Sequence, residues 1–391
     1  MLRFQTAGES HGEALVAFLS GLPAGLPIDF TYVHRELQRR MGGYGRGGRM
    51  KIESDSARFL SGVRHGKTIG SPITILIENR DWKNWQLAMA VEPSEEAASK
   101  YKPLASPRPG HADLAGCLKY NFPEARYVLE RASARETAAR VAAGALAKLF
   151  LKAFGIELAS HTVAVGGAVI SPQTITFEQV LSLRDREEIV LNCVDPEAEA
   201  RMKTEVDGAT EARDTVGGVF EVIAHGVPAG LGSCTQWDER LDAALAQGIM
   251  SIQAVKAVEI GRGIENAARP GSQVHDEIGY DRVQRRFTRK SNRAGGLEGG
   301  ITNGEDVIVR GYLKPISTLR QPLESVEFAT RQTVRAAYER SDVCVVPAAG
   351  VIGEAMVALV LARAFLDKFG GDSMGETRRN FENYLDQMRR F

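Results

Sequence analysis

Gly21-Leu22-Pro23-Ala24-Gly25-Leu26 returns later in the chain as Gly226-Val227-Pro228-Ala229-Gly230-Leu231. Each copy follows an apolar run, Ala14 to Leu19 and Val219 to Ala224, and each precedes a helical pattern. A second pair recurs in the same order. Gly66-Lys67-Thr68-Ile69-Gly70 is echoed by Gly300-Ile301-Thr302-Asn303-Gly304, and each leads into a strand pattern, Ile73 to Ile77 and Val307 to Arg310. Ordered self-similarity of this kind marks a tandem duplication. The repeats cover about 1–155 and 215–391 as pseudo-twofold halves, with 156–214 inserted between them.

Two alanine-rich helices are expected, one near the end of each half. The first begins at Ser133, with Glu136 three residues on in a capping-box arrangement, and stops at Gly155. The second runs from about Ile352 to Phe369 and is closed by Gly370. Small residues on several faces, Ala138, Ala142 and Ala145 in one and Ala355, Ala358 and Ala362 in the other, suit close packing at the centre of the molecule. Between the halves, His161 to Ile170 reads as an additional strand and Asp195 to Ala212 as a polar outer helix. The irregular alternation of elements lacks the spacing of β-α-β units, so the pattern predicts an α+β fold with antiparallel sheets around internal helices.

A chain of 391 residues with 43% hydrophobic content can bury a large core. Lysine plus arginine equals aspartate plus glutamate, 49 against 49. No global field therefore draws it to nucleic acid or to an anionic membrane. The first twenty residues show no secretory pattern, and no apolar run reaches the roughly 20 residues of a membrane span, so a soluble, cytoplasmic protein is expected. Cys117, Cys193, Cys234 and Cys344 are far apart and form no paired motif, and the histidines lack metal-ligand spacing. Reduced cysteines and no metal site are expected.

The chemistry concentrates in a few turns. His11 lies in Gly8-Glu9-Ser10-His11-Gly12 and His111 in Arg108-Pro109-Gly110-His111-Ala112-Asp113. Glycine lets backbone approach a ligand, and histidine is the side chain that exchanges protons near neutral pH. Arg39, Arg40, Arg46 and Arg49 sit among glycines, where guanidinium forks and freed amides suit phosphate or carboxylate. Arg126, Arg131 and Arg135 surround the helix start at Ser133, and Lys314 stands near two hydroxyls in Lys314-Pro315-Ile316-Ser317-Thr318. Asp342, beside Arg340, is the acidic candidate. The arginine-glycine segment also matches the type that binds RNA, but it is single and the chain is electroneutral. No Gly-x-Ser-x-Gly elbow or P-loop is present.

Taken together, these segments resemble the chorismate synthase family over essentially the whole chain. The resemblance rests on Gly8 to Gly12, Gly45 to Asp55, Ser61 to Pro72, Arg108 to Asp113, Arg131 to Ala147, Gly217 to Gly232, Met250 to Gly261, Gly295 to Gly304 and Lys314 to Thr318. It implies a β-α-β sandwich, usually a homotetramer, and a lyase that converts 5-enolpyruvylshikimate 3-phosphate to chorismate and phosphate with reduced FMN. By that resemblance His11 serves the leaving phosphate, His111 the reduced flavin, and Asp342 removal of the ring proton. FMN contacts would fall on Arg131, Ala132, Ser133, Gln253, Ala254, Gly299, Lys314, Pro315, Ile316, Ser317, Thr318 and Arg340. Ser10, Arg40, Arg46, Arg49 and Arg135 would bind substrate, with Arg40 and Arg46 also the NADPH positions. A separate flavin reductase is an implied partner, and NADPH-dependent flavin reduction by the chain itself is the alternative activity. Many members carry Arg-His-Asp-Pro where this chain has Arg340-Ser341-Asp342-Val343, and often an arginine where Ala348 or Ala349 stands.

Overall fold

Strict alternation builds the first sheet. In β2 (Ala14–Ser20) Leu15, Ala17 and Leu19 are buried, and in β4 (Ile73–Glu78) Ile73, Ile75 and Ile77 are. The antiparallel register sets Leu15 opposite Ile77, Ala17 opposite Ile75 and Leu19 opposite Ile73, so six apolar side chains share one face. With β1 (Arg3–Ala7) and β3 (Ala57–Ser61) the order is β1-β2-β4-β3. The computed structural model describes residues 1–47, 55–93, 95, 101, 103–171, 175–186, 190–338 and 342–391. Arg49 and Arg340 lie outside the described residues.

The second sheet contains β5 (Glu157–Val165), β6 (Ala168–Val169), β7 (Gly218–His225), β8 (Val255–Ile260) and β9 (Val307–Leu313), in the order β8-β9-β7-β5-β6 and all antiparallel. Here β5 stands beside β7 as β1 stands beside β2. The strand expected as an insertion between the halves is therefore an integral member of this sheet, and it breaks at the turn between β5 and β6 rather than running on to Ile170.

The recurring turns make the same hydrogen bonds in both places. The Thr68 hydroxyl donates to the Pro23 carbonyl at 2.6 Å and accepts the Leu26 N–H at 2.9 Å. Thr302 donates to Pro228 at 2.7 Å and accepts from Leu231 at 2.8 Å. Gly25 N–H donates to Thr68 O and Gly230 N–H to Thr302 O.

Between the sheets lie α1 (Phe30–Met41), α4 (Thr137–Lys152), α6 (Leu241–Met250) and α7 (Val346–Phe369). The fold is α+β, with sheets on both sides of a helical layer. Ahead of α4 come α2 (Asp113–Tyr120) and α3 (Arg126–Ala132), while α5 (Pro196–Glu211), capped by Asp195, is the expected polar helix.

Three expectations are corrected by local physics. The capping box at Ser133 does not form, because the Ser133 hydroxyl accepts from Arg135 N–H in a 3₁₀ turn and the Glu136 carboxylate is taken by Thr6, Arg140 and Gln253. Helix α7 begins at Val346 rather than Ile352, since Pro347 sits in the first turn, where its missing N–H costs nothing. That helix is also long and apolar enough to cross a membrane by length and composition, but 83% of its most apolar window is buried inside the protein. Cys117, Cys193 and Cys344 are buried free thiols and Cys234 an exposed one.

Helices α4 and α7 meet at Gly144, where an added Cβ would lie 2.4 Å from the Ala355 Cβ. Gly144→Ala is expected to lose about 1–3 kcal/mol of stability in chemical denaturation. Gly208→Ala, on the exposed face of α5 with open space around it, is expected to gain up to about 1 kcal/mol.

Candidate functional site

Gly8 opens the His11 turn with φ +100°, where a Cβ would strike the Ala14 carbonyl at 2.3 Å. The turn that follows lays His11 against α3. His11 Nδ1 lies 3.0 Å from both carboxylate oxygens of Glu130, and the His11 backbone N–H donates to Glu130 Oε2 at 2.8 Å. The imidazole is stacked on Trp85, with ring centroids 3.7 Å apart. Arg126, one turn back on α3, donates to Glu130 Oε1 at 2.9 Å. Burial would raise Glu130, but the His11 and Arg126 contacts outweigh it and hold the carboxyl below its ordinary value.

His111 repeats the arrangement. Its Nδ1 lies 2.5 Å from Asp113 Oδ1, at the start of α2. Arg108 donates to Asp113 through Nε at 2.9 Å, Nη2 at 3.2 Å and its backbone N–H at 3.1 Å, and reaches the Thr318 hydroxyl with Nη1 at 3.0 Å. Burial again opposes ionisation, yet the His111 and Arg108 contacts hold the carboxyl far below its usual range.

Both histidines line one cavity of about 390 Å³. The wall brings together Ser10, Arg40, Arg46, Ala132, Ser133 and Arg135 with Gln253, Ala254, Lys314, Ile316, Ser317, Thr318 and Asp342. Arg40 donates to Thr137 and to the Ala134 carbonyl, and Asp55, itself buried, receives Arg135 at 2.7 Å and Arg40 at 3.4 Å. Lys314 donates to the Gly110 carbonyl, and burial together with Lys256 pulls its pKa down. Asp342 pairs with Arg46 at 3.1 Å and accepts the Gly47 N–H at 2.6 Å.

Three of the expected contact residues are off the wall. Arg131 turns to the carbonyls of Thr6 and Gly8, at 2.8 and 3.1 Å, and lines a separate groove. Gly299 belongs to the turn between strands 297–298 and 301–302, near Cys234. Pro315 is exposed beside the wall rather than part of it. Conversely, Glu130, Trp85, Asp113 and Asp55 were given no role from the sequence, although the Arg126–Glu130 spacing and the closeness of Asp113 to His111 were visible there.

The described wall residues carry Arg40, Arg46, Arg108, Arg135 and Lys314 against Asp342, which suits an anionic ligand. Gln253 Oε1 is buried without a hydrogen-bond partner, and Ala254 beside it holds φ +69°, a strained conformation for an L-residue. An N–H-bearing planar ring would fit that acceptor. Among the described residues no group of histidine, cysteine and carboxylates could hold a metal ion.

Fold and site thus define an α+β protein whose cation-rich cavity holds two carboxylate-backed histidines. The family described as chorismate synthase matches residues 2–366. Chorismate synthases of Acidobacterium capsulatum and Koribacter versatilis are 65% and 64% identical, each covering 100% of both chains. A crystal structure of chorismate synthase superposes with TM-score 0.79 at 42% identity, covering 100% of this chain and 99% of that one. The chain belongs to the chorismate synthase family and is a lyase.

Because Asp113 and Glu130 ionise more readily folded than unfolded, their contribution to stability is present above the ordinary carboxylate range and is lost as pH falls below it. The unfolding free energy read by chemical denaturation is expected to fall progressively as pH drops below about 4. A stability that stays level from about pH 5 to pH 2 would contradict this.

Proposed function

We propose that the chain converts 5-enolpyruvylshikimate 3-phosphate to chorismate and inorganic phosphate, the last common step of the shikimate pathway, with reduced FMN in the described cavity. The observation that carries this reading is the pair of carboxylate-backed histidines on one cation-rich wall in a member of this family. The elimination breaks a carbon–oxygen bond to phosphate and a ring carbon–hydrogen bond, with no net redox change. Reduced flavin, when bound, supplies transient electron density for that cleavage.

Arg40, Arg46, Arg135 and Lys314 receive the phosphate and carboxylates of the substrate. His11 hydrogen-bonds or protonates the departing phosphate through the ring nitrogen that Glu130 leaves open. His111 serves the flavin face of the site, with Ala132, Ser133, Gln253, Ala254 and the 314–318 segment. Gln253 Oε1 is the acceptor for a flavin N–H. Asp342 assists removal of the ring proton by exchanging its contacts with Arg46 and Gly47. NADPH acts only as a reductant of the flavin, whether used here or by a separate flavin reductase.

The same reading makes the enzyme a cytoplasmic homotetramer and its halves a duplicated unit. The second unit then starts at β5, since β1-β2-β4-β3 and β5-β7-β9-β8 correspond strand for strand and the Thr68 and Thr302 turns match bond for bond.

Anaerobic assay with chemically reduced FMN is expected to release chorismate and phosphate in equal amounts without NADPH. His11→Ala and His111→Ala are each expected to lower kcat by about 10²- to 10⁴-fold with unchanged circular dichroism. NADPH oxidation without phosphate release would instead support the reductase activity and overturn the proposal.

A further inference from the structure

We propose that Glu130 is the positioning residue of the phosphate-side histidine: it accepts the Nδ1 proton of His11 and so directs Nε2 into the cavity as the proton-exchanging nitrogen. The inference rests on the assignment of His11 to the leaving phosphate. Its support lies in the donors that meet at this carboxylate. His11 Nδ1 reaches both oxygens at 3.0 Å, the His11 backbone N–H reaches Oε2 at 2.8 Å, and Arg126 reaches Oε1 at 2.9 Å. The backbone N–H and the guanidinium can only donate. Glu130 is 2% exposed and its pKa is held down, so it stays an ionised, acceptor-only group. The ring is then bound to donate from Nδ1, because an Nδ1 lone pair would face carboxylate oxygens.

Two further contacts leave the imidazole one orientation. Trp85 covers one face at 3.7 Å and is itself fixed by its indole N–H donating to Asp81 Oδ2 at 2.9 Å. The Ser10 N–H donates to the Glu130 backbone carbonyl at 3.0 Å, which ties the turn carrying His11 to the helix carrying its acceptor. His111 differs in a way that shows what is special here. Its acceptor Asp113 is already clamped by three Arg108 donors, whereas two of the donors on Glu130 belong to His11 itself.

A glutamine at 130 has the right shape but cannot accept from all these donors. Its amide NH₂ must replace either Oε2, against the His11 backbone N–H, or Oε1, against the Arg126 guanidinium, and in both places it lies beside Nδ1, where it selects the opposite ring tautomer. Aspartate keeps the acceptor chemistry while shortening the reach.

The first test is ¹⁵N NMR of histidine-labelled full-length enzyme without flavin or substrate, with His11 assigned by its loss in His11→Asn. The neutral ring is expected to carry its proton on Nδ1 in the wild type and to shift toward Nε2–H in Glu130→Gln. In steady state, Glu130→Gln is expected to lower kcat about tenfold or more with KM changed less than about threefold. Glu130→Asp is expected to recover part of the loss. A wild-type ring protonated on Nε2, or both variants within about twofold of wild-type kcat, would overturn the proposal. Absence of phosphate release by the wild type would instead sink the assignment of the reaction, and the ring tautomer, read without substrate, tells the two failures apart.

Discussion

The molecule depends on a pair of buried contacts where α4 crosses α7. Gly144 lets the backbones approach at Ala355, and one turn along α4 the ammonium of Lys148 lies between Glu36 and Glu354. Glu354 is fully buried in the middle of an apolar helix, so an unpaired charge there would be prohibitive. Burial opposes its ionisation, but Arg39, Lys148 and Arg184 reverse that and hold it well below the usual carboxylate range. Arg39 reaches it at 2.7 Å, Ser160 of β5 at 2.7 Å and Arg184 at 3.1 Å. One carboxylate thereby joins α1, α4 and the second sheet.

The cavity inherits its shape from that junction. Arg39 points into the charge cluster, and its neighbour Arg40, at the end of the same helix, enters the cavity to meet Thr137 and Asp55. The opening turns of α7 contribute Ala348, Ala349 and Ile352 to the cavity wall. Small side chains at 348 and 349 leave room there. A ligand pocket between two packed helices and the loops of two sheets needs its scaffold fixed before its walls can be placed, and the buried ion cluster supplies that fixity.

Within the site, cations face the cavity and most of the carboxylates stand behind them. Asp55 braces Arg40 and Arg135, Asp113 braces Arg108 and His111, and Glu130 braces His11. Each brace is nearly excluded from water, so its hydrogen bonds are strong and its geometry narrow. The cations and imidazoles thus form a facing layer and their carboxylate partners a supporting layer. Asp342 is the exception, since its carboxylate lies on the wall and holds Arg46 and Gly47 in place.

Much of this was legible along the chain, because turns and faces are local properties. The Gly21 and Gly226 turns, the alternation of Ile73, Ile75 and Ile77, the two alanine-rich helices and the histidine turns all carry signatures within a few residues of themselves. The helix start at Val346 was not legible, because Pro347 reads as a break unless its place in the first turn is known. Nor was the membership of β5 in the second sheet, which is decided by pairing with β7 from far along the chain. The sequence by itself determined which segments could form strands, helices and ligand-facing turns, since those depend on periodicity, glycine and charge. Only the tertiary structure decided that Glu130 backs His11, that Asp55 joins Arg40 to Arg135, and that Arg131 turns away, because partner choice among like charges depends on which of them the packed backbone brings within 3 Å or so.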